Sequence, residues 1–220
     1  MKTTKKTMKK PIKKTKRIPR GPSPMDQAEM ANAAMEIATD FVERRIYLMG
    51  EINTGSAYRF LVALHIMDET KGPITIILSS GGGSDSDGYA IYDAIRMAAN
   101  EVTVVGMGAT MSMAAIIMQA AAHRLITPEC RFMVHNGSIG VSGDLSSELC
   151  IAMGKEVENS VNSYHRVLAA RSKLPLEQVR EICRKETYLT ARETVRNNFA
   201  DAVLLPNGEI MTAKDLEATP

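Results

Sequence analysis

Residues 101–115 read EVTVVGMGATMSMAA. Val102 to Val105 form a β-branched run of the kind a buried parallel strand presents, and Met113 opens an apolar stretch of helical length. Between them, glycines and a threonine lead to Ser112, a lone hydroxyl between two methionines. The pattern predicts a strand over 101–107, a glycine-rich turn, and a helix beginning near Ser112. A strand that turns straight into a helix is one step of an alternating β/α chain. Ser112 has two readings at this point: a small packing residue, or a nucleophile held at a helix start.

The same alternation extends to both sides. RIYLMG (45–50) and ITIILSS (74–80) read as strands, and Thr54 to Glu69 and Asp87 to Ala99 as amphipathic helices. RFMVH (131–135) is a further strand. Nearly continuous β-branched runs separated by helices predict an α/β fold with a parallel sheet covered on both faces. Ligands of such sheets collect beyond the carboxyl ends of the strands, where glycine-rich turns enter helices. Residues 79–86, 107–112 and 135–143 fall at those ends. Further on, 144–172 reads as one long helix whose apolar stripe, Leu149, Met153, Val157, Val161, Tyr164 and Leu168, needs a partner. Pro175 suits the first turn of another helix reaching about Lys185, and Thr190 with Glu193 forms a capping box for a short one. Residues 25–43 read as a helix.

Composition narrows the class. Hydrophobic residues at 45% and charged residues at 24% are those of a globular body, and 220 residues suit one domain with a tail. The longest apolar stretch, Met113 to Ala122, is broken by Gln119 and falls short of the ~20 residues of a membrane span, so no membrane association is expected. Cys130, Cys150 and Cys183 have no metal-ligand spacing and read as packing residues of a reducing, cytoplasmic protein with no metal. Of 27 Lys and Arg and 25 Asp and Glu, ten basic and no acidic residues fall in 1–20, which leaves the remainder at −8. Residues 1–24 are therefore expected to be a disordered basic tail, and 25–220 the domain. The tail lacks the apolar core of a secretory signal. A solvated or cleavable extension, nucleic-acid contact, and docking on the acidic body all remain open for it.

Several residues could carry chemistry. SSGGGSDSDG (79–88) has three consecutive glycines before a helix, so backbone N–H groups can approach an anion or oxyanion; the lysine of a phosphate loop is missing. A turn without a ligand fits equally. His65 and His165 lie in helix patterns and read as structural or solvent-facing, and His123 as the end of a helix. His135 closes RFMVH on the same sheet edge as Ser112. A serine, a histidine and a glycine-rich turn on one edge meet the needs of acyl transfer: a nucleophile, a base and oxyanion donors. For the acid that orients the base, Asp144, Glu148, Glu181 and Glu186 are candidates that spacing does not rank.

Four segments, SSGGGSDSDGYAIYDAI, GMGATMSMAA, MVHNG with its following GxxG, and ETYLTARE, together resemble those of the Clp protease proteolytic subunit (ClpP) family, from Glu43 to about Leu204. The resemblance implies a ClpP/crotonase-like stack of parallel sheet and helices with a protruding helical handle at about 139–172. It implies Ser112 as nucleophile, His135 as base, Glu186 as the third member, and the N–H groups of Gly83 and Met113 as the oxyanion hole. It implies a serine endopeptidase acting on protein or peptide substrates without a cofactor in this chain. Two stacked seven-subunit rings of one chain, and a Clp-type ATPase partner that unfolds substrates, follow from the same likeness. Departures accompany it: Glu186 stands where the family has aspartate, Gly81 replaces a proline, and Ala114 a glycine. The stretch between Ser112 and His135 is two residues shorter than the usual pattern, and residues 1–42 do not resemble the family's axial-pore segment. These motivate two alternatives: a catalytically silent ring or scaffold subunit, and a phage head-maturation protease working without an unfoldase.

Overall fold

The computed structural model describes residues 38–137 and 146–218. Five β-strands come first along the chain. β1 (Thr39–Asp40) and β2 (Arg45–Met49) are joined by a turn, followed by β3 (Ile74–Ser80), β4 (Val102–Met111) and β5 (His123–Ile126). β6 (Arg131–Val134), β7 (Thr187–Leu189), β8 (Ala202–Leu204) and β9 (Ile210–Thr212) complete a single mixed sheet. Its main path runs β1-β2-β3-β4-β5-β8-β9, with β6 leaving from β4 and carrying β7. All pairs from β2 to β8 along that path, and β4 with β6, are parallel; β1/β2, β6/β7 and β8/β9 are antiparallel.

Helices fill the crossovers: α1 (Thr54–Asp68), α2 (Asp85–Met97) and α3 (Met113–Gln119). α4 (Ser147–Ser172), α5 (Leu176–Cys183), α6 (Ala191–Arg196) and α7 (Ala213–Ala218) follow. Their starts obey local chemistry. Asn53 and Ser56 form a capping box for α1, Ser84 caps α2, and the expected box of Thr190 and Glu193 opens α6. All seven residues of α3 are buried, as a helix apolar all round up to its last residue must be. Gly88 lets α2 lie against its first turn, since a Cβ there would stand 2.2 Å from Met113 Cγ.

Gln119, the polar break in the apolar run, is itself buried and fully bonded. Its amide donates to the carbonyls of Ala115 and Phe199, and its oxygen accepts from Arg124 at 2.6 Å. Arg124, 4% exposed, also pairs with Asp201, so the buried cation has an anion as well as neutral acceptors.

The departure that matters most for function lies in β4, which is longer than predicted and changes partner along its length. Residues 103–106 pair with β5 and 109–111 with β6. Against β3 the register slips between Leu78 and Ser80, where Gly108 adopts φ 63° in the bulge. β4 thus forks the sheet and runs on to the residue before Ser112.

Other expectations change in detail. Ala38 to Glu43 form a strand and turn rather than the end of a helix, while 25–37 lie outside the described residues, as does the basic tail. His123 begins a strand instead of ending a helix; its ring meets Glu101 at 2.5 Å. β2 leaves Tyr47 and Met49 exposed, so the sheet is not covered on both faces at that edge. Cys130 and Cys183 are buried, but Cys150 is exposed on α4. The start of the expected handle, 139–145, lies outside the described residues. Among those described, no helix is long and apolar enough to cross a membrane.

Candidate active site

Ser112 follows the last residue of β4, and His135 the last residue of β6. Because these strands are parallel neighbours with Met111 opposite Met133, both residues emerge from the same edge side by side. The Ser112 N–H donates to the Met133 carbonyl at 2.9 Å, which extends the ladder by one bond. The result is a Ser112 Oγ to His135 Nε2 distance of 2.7 Å, a hydrogen bond of ordinary length for a nucleophile and its base. Ser112 itself has φ 54° and ψ −122°, a backbone conformation that L-residues avoid. The chain turns sharply there from strand to helix and presents the side chain at the sheet edge, as a nucleophile elbow does.

The glycine turn closes on the same point. A Cβ on Gly82 would stand 2.7 Å from Ser112 Cβ, and one on Gly83 2.2 Å from the Ile52 carbonyl oxygen. Both glycines have positive φ, 101° and 147°. Neither position has room for a side chain, which explains why the turn is glycine there. Ile52 anchors it: its N–H donates to Gly82 O and its carbonyl accepts from Ser84 N–H. That pattern leaves the intervening Gly83 N–H out of the bridge. Met113 is the first residue of α3, where a backbone N–H has no acceptor within the helix. These N–H groups flank Ser112 from the turn before it in space and the residue after it in sequence.

Glu186 stands across from His135. β6 and β7 pair Val134 with Thr187 and Met133 with Tyr188, so continuing the antiparallel register sets Glu186 opposite His135. Its carboxylate accepts from the Tyr188 hydroxyl at 3.1 Å rather than from the imidazole, and it is exposed. Glu186, in turn, raises the Tyr188 phenol above its ordinary pKa through that hydrogen bond and its charge. Of the other acids considered, Asp144 lies outside the described residues, Glu148 is exposed in the first turn of α4, and Glu181 pairs with Arg184.

Two residues of α4 support the pair, and sequence reading missed both roles. The hydroxyl of buried Tyr164 donates to the Ser112 carbonyl at 3.2 Å. Burial raises the Tyr164 pKa well above the usual value, so it remains a donor. His165 Nε2 meets Asn136 Oδ1 at 2.8 Å, one residue beyond His135. Burial, with help from Arg180, lowers the His165 pKa. The sequence places Tyr164 in an apolar stripe and reads His165 as structural or solvent-facing. A polar pair at consecutive positions, one inside the stripe, was the available signal.

A cleft of about 790 Å³ opens over the pair, lined by the turn from Gly83 into α2, by Asn136 and Gly137 after His135, and by α4 from Glu156 to Ser163. Among the described residues no group of three or more His, Cys, Asp or Glu is placed to hold a metal ion. The arrangement has what acyl transfer uses: a hydroxyl, a base bonded to it, and N–H donors on the other side.

The profile of the Clp protease family matches residues 28–207. The ATP-dependent Clp protease proteolytic subunit 3 of Rhodococcus jostii (strain RHA1) is 30% identical over 175 residues, covering 77% of this chain and 85% of that protein. The ATP-dependent Clp protease proteolytic subunit of Leuconostoc citreum (strain KM20) is 25% identical over 199 residues, 88% of this chain and 99% of the relative.

Proposed function

The chain belongs to the Clp protease family, and from that premise we propose that it is a serine endopeptidase with Ser112 as its nucleophile. The 2.7 Å bond between Ser112 Oγ and His135 Nε2, at the mouth of a cleft, carries the proposal. His135 takes the hydroxyl proton as Oγ attacks the peptide carbonyl carbon, and the carbonyl oxygen becomes an oxyanion held by the N–H groups of Gly83 and Met113. Collapse breaks the C–N bond, and the imidazolium delivers its proton to the leaving amine. Water, deprotonated by His135, then hydrolyses the acyl ester and restores Ser112.

Glu186 is the group that holds the His135 tautomer. Its place across the β6/β7 ladder supports this, provided the carboxylate swings from Tyr188 to the imidazole. The relatives' names, which call them ATP-dependent and proteolytic subunits, support proteolysis coupled to an ATP-driven partner and a multi-subunit assembly; the form proposed for that assembly is a ring of identical subunits enclosing the sites. We place the protein in the cytoplasm, and the chemistry proposed uses only groups of this chain.

Replacing Ser112 with alanine tests the assignment: peptide hydrolysis is expected to fall by about four orders of magnitude or more, and unchanged turnover overturns it. The bond from Tyr188 to Glu186 favours one competitor, a catalytically silent ring subunit. A fluorophosphonate separates the two, since labelling of Ser112 supports the peptidase and an assembled but unlabelled ring supports the silent subunit.

A further inference from the structure

We propose that Tyr164 is a positioning residue for the oxyanion hole: its hydroxyl orients and polarises the peptide group that joins Ser112 to Met113, and the N–H of that group is one of the two proposed donors. The inference rests on the peptidase reading and deepens it. It concerns a residue of α4 that does not line the cleft and so acts through the backbone.

The Ser112 carbonyl and the Met113 N–H belong to one planar trans peptide group, so they point in opposite directions and neither turns without the other. The direction of that plane is set by ψ of Ser112, which is −122° beside a φ of 54°, a combination outside the wells that L-residues occupy. A plane in that orientation needs a hold from its surroundings. Two donors supply it at the carbonyl oxygen: the Ala115 N–H at 2.9 Å from within the first turn of α3, and the Tyr164 hydroxyl at 3.2 Å from α4. The other end of the plane is left free of the helix. Met113 N–H has no acceptor within α3, and the residue packed against it is Gly82, where a Cβ would stand 3.0 Å from Met113 N.

A purely structural use of the hydroxyl is the competing account. Tyr164 stands in the apolar stripe of α4, three residues after Val161 and four before Leu168, where an aliphatic side chain would pack without a polar atom to satisfy. The Ser112 carbonyl, for its part, already has the Ala115 N–H as a partner. Neither group needs the other, yet the phenol is buried with its bond directed at this one peptide. Burial holds its pKa well above the usual value against an opposing hydrogen bond from the His135 backbone, so it is a neutral donor wherever His135 works as a base.

A hydrogen bond donated to a peptide oxygen does two things to the N–H of the same group. It fixes the direction in which that N–H points, and it draws electron density from the nitrogen, which strengthens the N–H as a donor. Both effects count when negative charge grows on the substrate oxygen, so they belong to the transition state rather than to the bound peptide.

The test compares the purified full chain with its Tyr164→Phe variant, which keeps the ring and removes the hydroxyl. KM is measured for one peptide and Ki for the aldehyde of the same sequence. Ser112 Oγ adds to the aldehyde carbon as His135 takes its proton, and the aldehyde oxygen becomes the oxyanion, so Ki reads the hole and KM the bound peptide. Removing a whole oxyanion donor lowers kcat by about a hundredfold or more; weakening one is expected to lower kcat by about tenfold and to raise Ki by about as much, with KM within about twofold. Ki and KM are independent of the folded fraction, so a loss of stability alone moves neither. The ratio of wild-type to variant kcat is expected to stay constant from about pH 6 to 9, since the phenol is neutral throughout. An unchanged Ki, a Ki and KM that rise together, or a kcat ratio that varies with pH overturns the inference. Cleavage and fluorophosphonate labelling of Ser112 in the wild-type chain alongside such a result leave the peptidase reading intact. A wild-type chain that neither cleaves nor labels overturns both.

Discussion

Ser112 occupies a backbone conformation that costs about 1–3 kcal/mol for a residue with a side chain, and the fold holds it there through bonds to its own peptide groups. Met133 accepts from its N–H and Tyr164 donates to its carbonyl. Glu186 has less support, and its role is the more sensitive to test. Glu186→Gln keeps the size and removes the charge, and it is expected to lower kcat by about a hundredfold or more, as when the acid of such a triad is neutralised; steady-state kinetics on one peptide measures it. His165 carries a pH dependence of stability. With the Asn136 oxygen as acceptor, Nε2 bears the proton, and Nδ1 is buried with no partner among the described residues. Protonating it would bury a charge with nothing to receive it, so the folded-state pKa lies below the unfolded value of about 6.5. The folded state then binds fewer protons than the unfolded state. The stability that His165 confers is present above about pH 6.5 and is lost as the pH falls from there through the lower folded-state value. Melting temperatures between pH 5 and 8 are expected to drop on the acid side, and His165→Gln to flatten that drop. The places of Ser112 and His135 were legible because one opens a recognisable helix after a strand and the other closes a recognisable strand. Glu186 could not be ranked by spacing, since its relation to His135 is a register between strands far apart in sequence.

Among the elements, the long runs were the readable ones. β3 and α1 stand within a residue or so of the expected bounds, and α4 ends where predicted, because their patterns extend over many residues. β5, β7, β8 and β9 have three or four residues each, and β5 includes His123 and Arg124, so no apolar run long enough to read as a strand announced them. Their place depends on partners: Arg124, for instance, is tolerated in a strand because Asp201 and Gln119 meet it. Contacts between helices also leave a sequence signal only in small residues. Gly88 in α2 is one, and Gly88→Ala tests it. Alanine is the better helix former by about 1 kcal/mol, yet the new methyl would stand 2.2 Å from Met113 Cγ and 2.8 Å from its Cε, so the whole side chain would have to move. A net loss of about 1–3 kcal/mol in denaturant unfolding is expected, with α3 displaced at the residue after Ser112.

At the level of the molecule, α4 is the element that the described residues leave incomplete. Its buried residues begin only at Tyr164, while Leu149 and Ile151 near its start are exposed. A helix whose apolar stripe finds no cover among the described residues needs another surface, and the proposed ring assembly supplies one. Sedimentation velocity is expected to find an assembly of many subunits, and Leu149→Asp with Ile151→Asp to shift it to smaller species; a wild-type monomer under active conditions contradicts the assembly. The same helix that would meet a neighbour also holds the Ser112 carbonyl through Tyr164. The fork of β4 has a different consequence. Ser112 and His135 are 23 positions apart along the chain, and the chain between them leaves as α3 and β5 and returns as β6. Their separation in space is set by the β4/β6 ladder, so the length of that excursion is not what measures it. A shorter or longer detour therefore costs the catalytic spacing nothing, and the turn at 128–129 becomes the natural place to graft or trim sequence without retuning the chemistry.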